Sequence, residues 1–261
     1  MEPDPLLGRT VVLVAHPDDE AICCGGLLQR MREAIVIFAT DGAPCDSFFW
    51  SRYGSREAYA GARAREVEHA MRAARVRHYQ FLDDGSGWAD QELFRHLDGA
   101  SQRLDDCVRK LRPGAILTLA YEGGHPDHDT CSFLAAWVGS KSGVPVWEMP
   151  AYHRSTDGVT VRQEFSSNEG QEATIVLTSA ELARKRAMCN AYESQRDVIA
   201  EFQLEVERFR PQPAYDYSRP PLPGVLNYEA WRWPMTGSQL CAEFSRFLSD
   251  HGSGRHEASA D

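Results

Sequence analysis

Over roughly the first 150 positions, short unbroken apolar runs alternate with longer amphipathic stretches. Residues 11–15, 34–39, 77–82, 115–120 and 144–147 are strand-length and rich in Val, Ile and Leu. Residues 21–33, 55–75, 91–111 and 127–139 carry helical spacing instead. Ser55 stands where an N-cap belongs, and Pro113-Gly114 stops the helix before it. Gapless apolar strands alternating with helices predict a parallel sheet with helices on both faces. Right-handed crossovers would bring the carboxyl ends of the strands to one edge.

The pattern loosens afterwards. Residues 150–178 predict strands or a hairpin, and Thr178-Ser179-Ala180-Glu181 is a capping box opening a helix to about residue 194. Pro211, Pro213, Pro220, Pro221 and Pro223 make 211–224 an extended, irregular arm. Residues 237–250 predict a last helix, and 252–261 a disordered tail. The expectation is a single domain over 1–251 whose part 150–251 is irregular.

Composition narrows the function classes. The chain has 261 residues, 43% of them apolar, and a formal net charge of −10. That balance argues against a nucleic-acid surface and against binding acidic membranes, and no apolar run is long enough to span one. No basic-then-apolar segment opens the chain, so the expected location is the cytoplasm. Seven scattered cysteines without a Cys-x-x-Cys spacing predict free thiols in a reducing compartment. Composition leaves a homo-oligomer open.

Two motifs carry the chemistry: Ala15-His16-Pro17-Asp18-Asp19-Glu20 and His125-Pro126-Asp127-His128-Asp129. Each follows a predicted buried strand, and an α/β sheet opens its ligand crevice where strands end. The three acids of the first motif could simply cap a helix N-terminus. Two such clusters at one sheet edge favour a shared site instead. In the first, His16 and one of the adjacent carboxylates Asp18 and Asp19 can bind a metal while the other stays free beside it. In the second, His128 can be the third ligand, His125 is left for proton or charge work, and Asp127 can hold its ring. Three protein ligands with an open position is the catalytic zinc pattern, and iron(II) suits the same donors.

These residues resemble the PIG-L/LmbE-like family of metal-dependent de-N-acetylases. Weaker similarities are Cys24-Gly25-Gly26, Arg63-Ala64-Arg65-Glu66, and Lys185-Arg186-Ala187 followed by Tyr192-Glu193-Ser194-Gln195. The resemblance implies a Rossmann-like three-layer α/β sandwich with a mostly parallel sheet and an irregular C-terminal extension. It also implies zinc-dependent removal of an N-acyl group from an N-acetylglucosamine-type substrate. By this resemblance His16, Asp19 and His128 hold one Zn2+, and Asp18 is the general base. His125 stabilises the tetrahedral intermediate and is a candidate to protonate the amine, and Asp127 orients His125. Arg63 and Asp84 contact the substrate. Where some members carry a tyrosine before the second motif, this chain has Gly123-Gly124, so no tyrosine-assisted step is expected there. The rival readings are a thiol-conjugate amidase at the same metal site and a non-catalytic sugar-binding protein with a structural metal. Phe48, Phe49, Trp50 and Tyr53 are candidates to stack on a sugar or acyl chain, or equally to pack under their loop or at a subunit contact; core packing is the expectation for Trp231 and Trp233.

Overall fold

The computed structural model describes residues 3–83 and 87–252. Asp84 and most of the expected tail therefore lie outside the described residues. The first half runs β1 (Arg9–Val14), α1 (Asp19–Cys24), β2 (Glu33–Phe38), α2 (Ser47–Trp50), α3 (Arg56–Ala74), β3 (His78–Phe81), α4 (Leu97–Leu111), β4 (Ala115–Leu119), α5 (Pro126–Ser142) and β5 (Val146–Met149). The second half adds β6 (Tyr152–Arg154), β7 (Thr160–Arg162), β8 (Ala173–Val176), α6 (Ser179–Ala191), α7 (Arg196–Ile199), β9 (Val206–Pro211), α8 (Asn227–Ala230) and α9 (Gly237–Gly252).

Seven strands form one sheet in the order β3-β2-β1-β4-β5-β9-β8. The first five are parallel, with Val14 beside Phe38 and Thr10 beside Ala115. β9 and β8 extend the sheet antiparallel, and β6 and β7 pair as a separate hairpin. This is the expected α/β fold, with the irregular half contributing two strands to the main sheet and two to the hairpin. From β1 the chain winds toward β3; from β4 it winds the other way to β5. That reversal opens a crevice beyond the carboxyl ends of β1 and β4, where both motifs begin.

Burial explains the sequence pattern. Every residue of β4, and every residue of β1 after Arg9, is buried, as expected of central parallel strands covered on both faces. α5 is buried all the way from Pro126 to Ala135. Its hydroxyls are accordingly satisfied: Thr130 Oγ1 donates to the Pro126 carbonyl at 2.7 Å, and Ser132 Oγ lies 3.0 Å from the Tyr217 hydroxyl.

The first helix departs from expectation. Periodicity predicts 21–33, yet α1 ends at Cys24 and a 3-10 turn follows at Leu27–Gln29. The cause is distant in sequence. The buried carboxylate of Glu207, on β9, accepts from Gly26 N at 2.6 Å and Leu27 N at 2.8 Å, and pairs with buried Lys185 at 2.8 Å. Gly26 is needed there because a Cβ would lie 2.1 Å from Leu177 Cδ2.

Ser55 caps α3 as read, its hydroxyl accepting from Ala58 N at 3.1 Å. Ser55→Ala is expected to cost about 1 kcal/mol, lowering Tm by roughly 2–4 °C in a chain of this size, as a calorimetric scan would read. The stretch after β2 forms the short helix α2 and leaves Phe48 79% exposed. All seven cysteines are free. Among the described residues no helix is long and apolar enough to cross a membrane.

Candidate metal centre

β1 delivers His16 to the crevice, and the chain turns at once into α1. Asp18 is the residue before that helix and takes φ 128°. A non-glycine residue at positive φ is strained by about 1–3 kcal/mol, a cost that surrounding contacts must hold in place. Here the Asp18 N–H donates to Glu20 Oε2 at 3.2 Å, and the Asp18 carbonyl accepts from Ala21 N and Ile22 N at 3.0 Å. Tyr192 braces Glu20 from behind, its hydroxyl donating to Glu20 Oε1 at 2.6 Å. Asp19 turns back, Oδ2 accepting from the His16 N–H at 2.8 Å.

The second strip is organised by the start of α5. His125 is the N-cap, and its Nδ1 accepts from Asp127 N at 3.1 Å. Pro126 occupies the first turn, where a missing N–H is harmless. Asp129 Oδ1 accepts from Glu122 N at 3.1 Å and Gly123 N at 3.0 Å, shaping the strip that leads into His125.

The two strips meet. Asp19 Oδ1 lies 3.3 Å from His128 Nε2, and Asp19 Oδ2 lies 3.5 Å from His16 Nδ1. The ring centroids of His16 and His125 are 4.3 Å apart, and those of His16 and His128 are 5.3 Å apart. Donor atoms of His16, His125 and His128 can converge on one ion, as can those of His16, Asp90, His125 and Asp127. The expected ligands His16 and His128 thus belong to one convergent set, and Asp19 touches both.

The donor chemistry fits a divalent cation. Two buried imidazoles flank a buried carboxylate at distances too long for strong charge-assisted hydrogen bonds, and among the described residues His128 Nδ1 is buried without a partner. Nitrogen and oxygen donors in this mixture suit zinc or iron(II). The far nitrogen of His16, Nε2, lies 3.1 Å from Asp127 Oδ2. That is the carboxylate–histidine arrangement that orients a metal-binding imidazole.

Electrostatics follow from burial. Burial pushes Asp18 up to about 7, against the pull of Arg63. Glu20 is pushed by burial to about 8. Burial alone would raise Asp19, but His128 and His16 outweigh it and hold its carboxyl well below the usual range. For His16 burial is outweighed by Asp90, Asp127 and Asp19, which raise it. Burial and neighbouring His16 lower His125.

Two expectations are corrected. Asp127 does not hold the His125 ring through its carboxylate. Its Oδ1 accepts from Leu93 N at 3.0 Å, and its Oδ2 accepts from Gln91 N at 2.7 Å and faces His16. Only its backbone N–H reaches His125, because the capping geometry of α5 points the peptide inward. Arg63, expected to contact the substrate, lies in the same buried cluster, 2% exposed against 1% for His128. Its Nη2 donates to the Pro17 carbonyl at 2.6 Å, and its Nη1 lies 3.7 Å from Asp18 Oδ2, so it is the counter-charge of Asp18. Second, Trp231 is 43% exposed rather than packed in the core; Trp233 is partly buried against the core, as expected, and also lies edge-on to His125 with centroids 4.8 Å apart.

One residue of the cluster has no counterpart in the sequence reading. Asp90 Oδ1 lies 3.2 Å from His16 Nε2 and 3.1 Å from His125 Nε2. Its signal in the sequence is a single acid in the stretch beyond β3, after the adjacent acids Asp83 and Asp84. The late Tyr192…Gln195 element packs behind the site: Ser194 Oγ donates to Glu66 at 2.7 Å and Gln195 Nε2 to the Tyr59 hydroxyl at 2.6 Å. His153 is buried facing Glu122, Nδ1 to Oε2 3.6 Å.

Comparison with known proteins agrees with this geometry. Residues 11–138 match the family described as PIG-L: GlcNAc-PI de-N-acetylase. A Bacillus cereus protein named "Probable N-acetyl-alpha-D-glucosaminyl L-malate deacetylase 2" is 25% identical over 74% of this chain and 86% of its own length. A Saccharopolyspora erythraea 1D-myo-inositol 2-acetamido-2-deoxy-alpha-D-glucopyranoside deacetylase is 26% identical over 46% of this chain and 50% of its own length. In fold, the chain is similar to a deacetylase of the teicoplanin biosynthetic pathway, with TM-score 0.63 and 16% identity over 80% of this chain and 99% of that one.

Proposed function

Since the chain carries a PIG-L family domain across residues 11–138, we propose that it is a metal-dependent deacetylase that removes the N-acetyl group from an N-acetylglucosamine-type conjugate. His16, Asp19 and His128 would hold one divalent cation, for which zinc is the best match to the donors. The observation that carries the reading is the meeting of Asp19 with both His16 and His128 at the switch point of the sheet. The relatives named for deacetylation of glucosamine conjugates supply the substrate class.

When bound, such a cation supplies Lewis acidity, making water a stronger nucleophile and polarising the acyl oxygen. The chain's own residues do the rest. Asp18 faces the cluster with its carboxyl pushed to about 7, suited to taking a proton from the attacking water near neutral pH. Arg63 beside it keeps the ionised form accessible despite burial. His125 Nδ1 is committed as an acceptor from the Asp127 N–H, so Nε2 carries the ring proton. His125 therefore acts as a neutral donor toward the oxyanion. Burial lowers its basicity in the same direction. The proton gained by Asp18 is then the one available to the departing amine, which closes the proton balance without an imidazolium.

The test is metal analysis of the purified protein joined to acetate release from a panel of N-acetylated amino sugars. About one equivalent of zinc and release from a glucosamine derivative are expected. Chelation should abolish release and lower Tm, since an ion bound only by the folded state stabilises it by mass action. A zinc-loaded protein that releases no acetate from any member would sink the substrate class. A protein that binds no divalent metal would sink the centre itself.

A further inference from the structure

Beside the proposed metal centre the structure holds an aromatic wall that the reaction does not explain. Trp233 packs on His125 at 4.8 Å between centroids, Trp231 on Trp233 at 5.1 Å, Tyr152 on Trp231 at 5.9 Å, and Tyr152 returns to His128 at 5.4 Å. His125 and His128 are 5.1 Å apart. Five rings thus close a circuit, two of them imidazoles of the metal centre. The circuit opens to solvent at Trp231, which is 43% exposed.

The chain is built to present these rings. α8 ends with Arg232 N donating to the Glu229 carbonyl and Trp233 N to the Tyr228 carbonyl, both at 3.0 Å, and Arg232 takes φ 60°. This left-handed C-terminal cap sets Trp231 and Trp233 on either side of one strained residue. Both ends of the wall are pinned to the strip that leads into His125. Asn227 N donates to the Gly123 carbonyl at 3.0 Å, and Tyr152 N to Glu122 Oε1 at 2.9 Å. The wall therefore holds a fixed offset from the imidazoles.

We propose that Trp231, Trp233 and Tyr152 form the subsite for the pyranose ring of the substrate and determine specificity for a cyclic amino sugar over an open-chain N-acetyl amine. The proposal rests on the deacetylase reading above and deepens it. A pyranose has C–H faces that suit an aromatic surface and a rim of hydroxyls that needs polar partners. Here an indole surface borders a cluster bearing Asp18, Asp90 and His125. Trp50 uses its indole N–H on the Pro44 carbonyl at 3.1 Å; among the described residues neither Trp231 nor Trp233 has such a partner, so both can donate to a hydroxyl. An acyl chain alone would need the apolar wall but not these donors.

The experiment compares methyl N-acetylglucosaminide, locked as a ring, with N-acetylglucosaminitol, its open-chain counterpart, in the zinc-loaded enzyme. Wild type should favour the ring form in kcat/KM. Trp231→Ala, at the ring away from His125, should raise KM for the ring form about 3–10-fold with little change in kcat, lowering the ring-to-chain ratio of kcat/KM; Trp233→Ala should lower the same ratio, any loss of kcat through its His125 contact being shared by both substrates. Trp→Phe at either position should restore only part of the ratio, since phenyl keeps the apolar face but lacks the indole N–H. A second arm follows quenching of tryptophan fluorescence by the methyl glycoside, in wild type and in the double Trp→Ala variant. If acetate is released but the ratio and KM do not move in the alanine variants, or if Trp231→Ala lowers kcat equally on both substrates, the subsite is overturned while the deacetylase stands. If no acetate is released but the glycoside quenches wild type and not the double variant, the subsite stands and the deacetylase falls.

Discussion

Asp18→Asn is expected to lower kcat by about 10²–10⁴-fold, the usual contribution of a positioned proton-transfer group, while bound metal stays near the wild-type level. The substitution isolates proton transfer. Asparagine has the shape of aspartate and is among the side chains that best tolerate the positive φ at this position. It cannot take a proton from water. Asp18 sits 3.7 Å from Arg63, whose Nη2 also donates to the Pro17 carbonyl, so the guanidinium keeps a partner and the fold should tolerate the change. Turnover by acetate release, metal content by atomic emission and Tm together decide the matter. Retained turnover would remove Asp18 from the proposed proton path. Metal lost along with turnover would make it a ligand, and the roles of Asp18 and Asp19 would have to be exchanged.

Gly124→Ala should cost about 3 kcal/mol, at the upper end of ordinary overpacking, and so lower Tm by roughly 6–12 °C. A Cβ on Gly124 would lie 1.9 Å from the Tyr152 carbonyl oxygen and 3.0 Å from its carbonyl carbon. The obstacle is backbone, which cannot rotate away as a side chain can. The β6–β7 hairpin would have to lift, drawing the Tyr152 ring off His128 and weakening the two N–H donations to Glu122 Oε1, from Ala151 at 2.7 Å and Tyr152 at 2.9 Å. Activity should fall with stability for that reason. A Gly124→Ala variant with wild-type Tm would show that the hairpin does not rest on this strip as described.

Much of the site was legible because its signals are local. His16, Asp18, Asp19, His125, Asp127 and His128 stand in two short strings directly after buried strands, and the structure brings all six to one crevice. What was misread is equally instructive. Asp127 follows His125 closely enough to suggest a side-chain contact, but a helix N-cap places the peptide N–H there first. Arg63 keeps its place beside the site, and the fold adds a contact to the Pro17 carbonyl and one to Ser194. Asp90 stands in no motif, and its place between His16 and His125 is set by the loop joining β3 to α4. Gly123-Gly124 reads as the absence of a tyrosine; in the fold it is the bed for a different one, Tyr152.

By itself the sequence determined the five parallel strands, the longer helices between them and the residues able to grip a metal, because periodicity, capping and burial on both faces act over a few neighbouring positions. The tertiary structure alone decided which carboxylate serves which imidazole, that Glu207 would cut short the first helix, and that Trp231 and Trp233 would stand at the mouth of the centre. Those outcomes depend on groups far apart in the chain competing for the same donor or the same space, and such competition is resolved only when the sheet has closed and each buried polar group must find a partner.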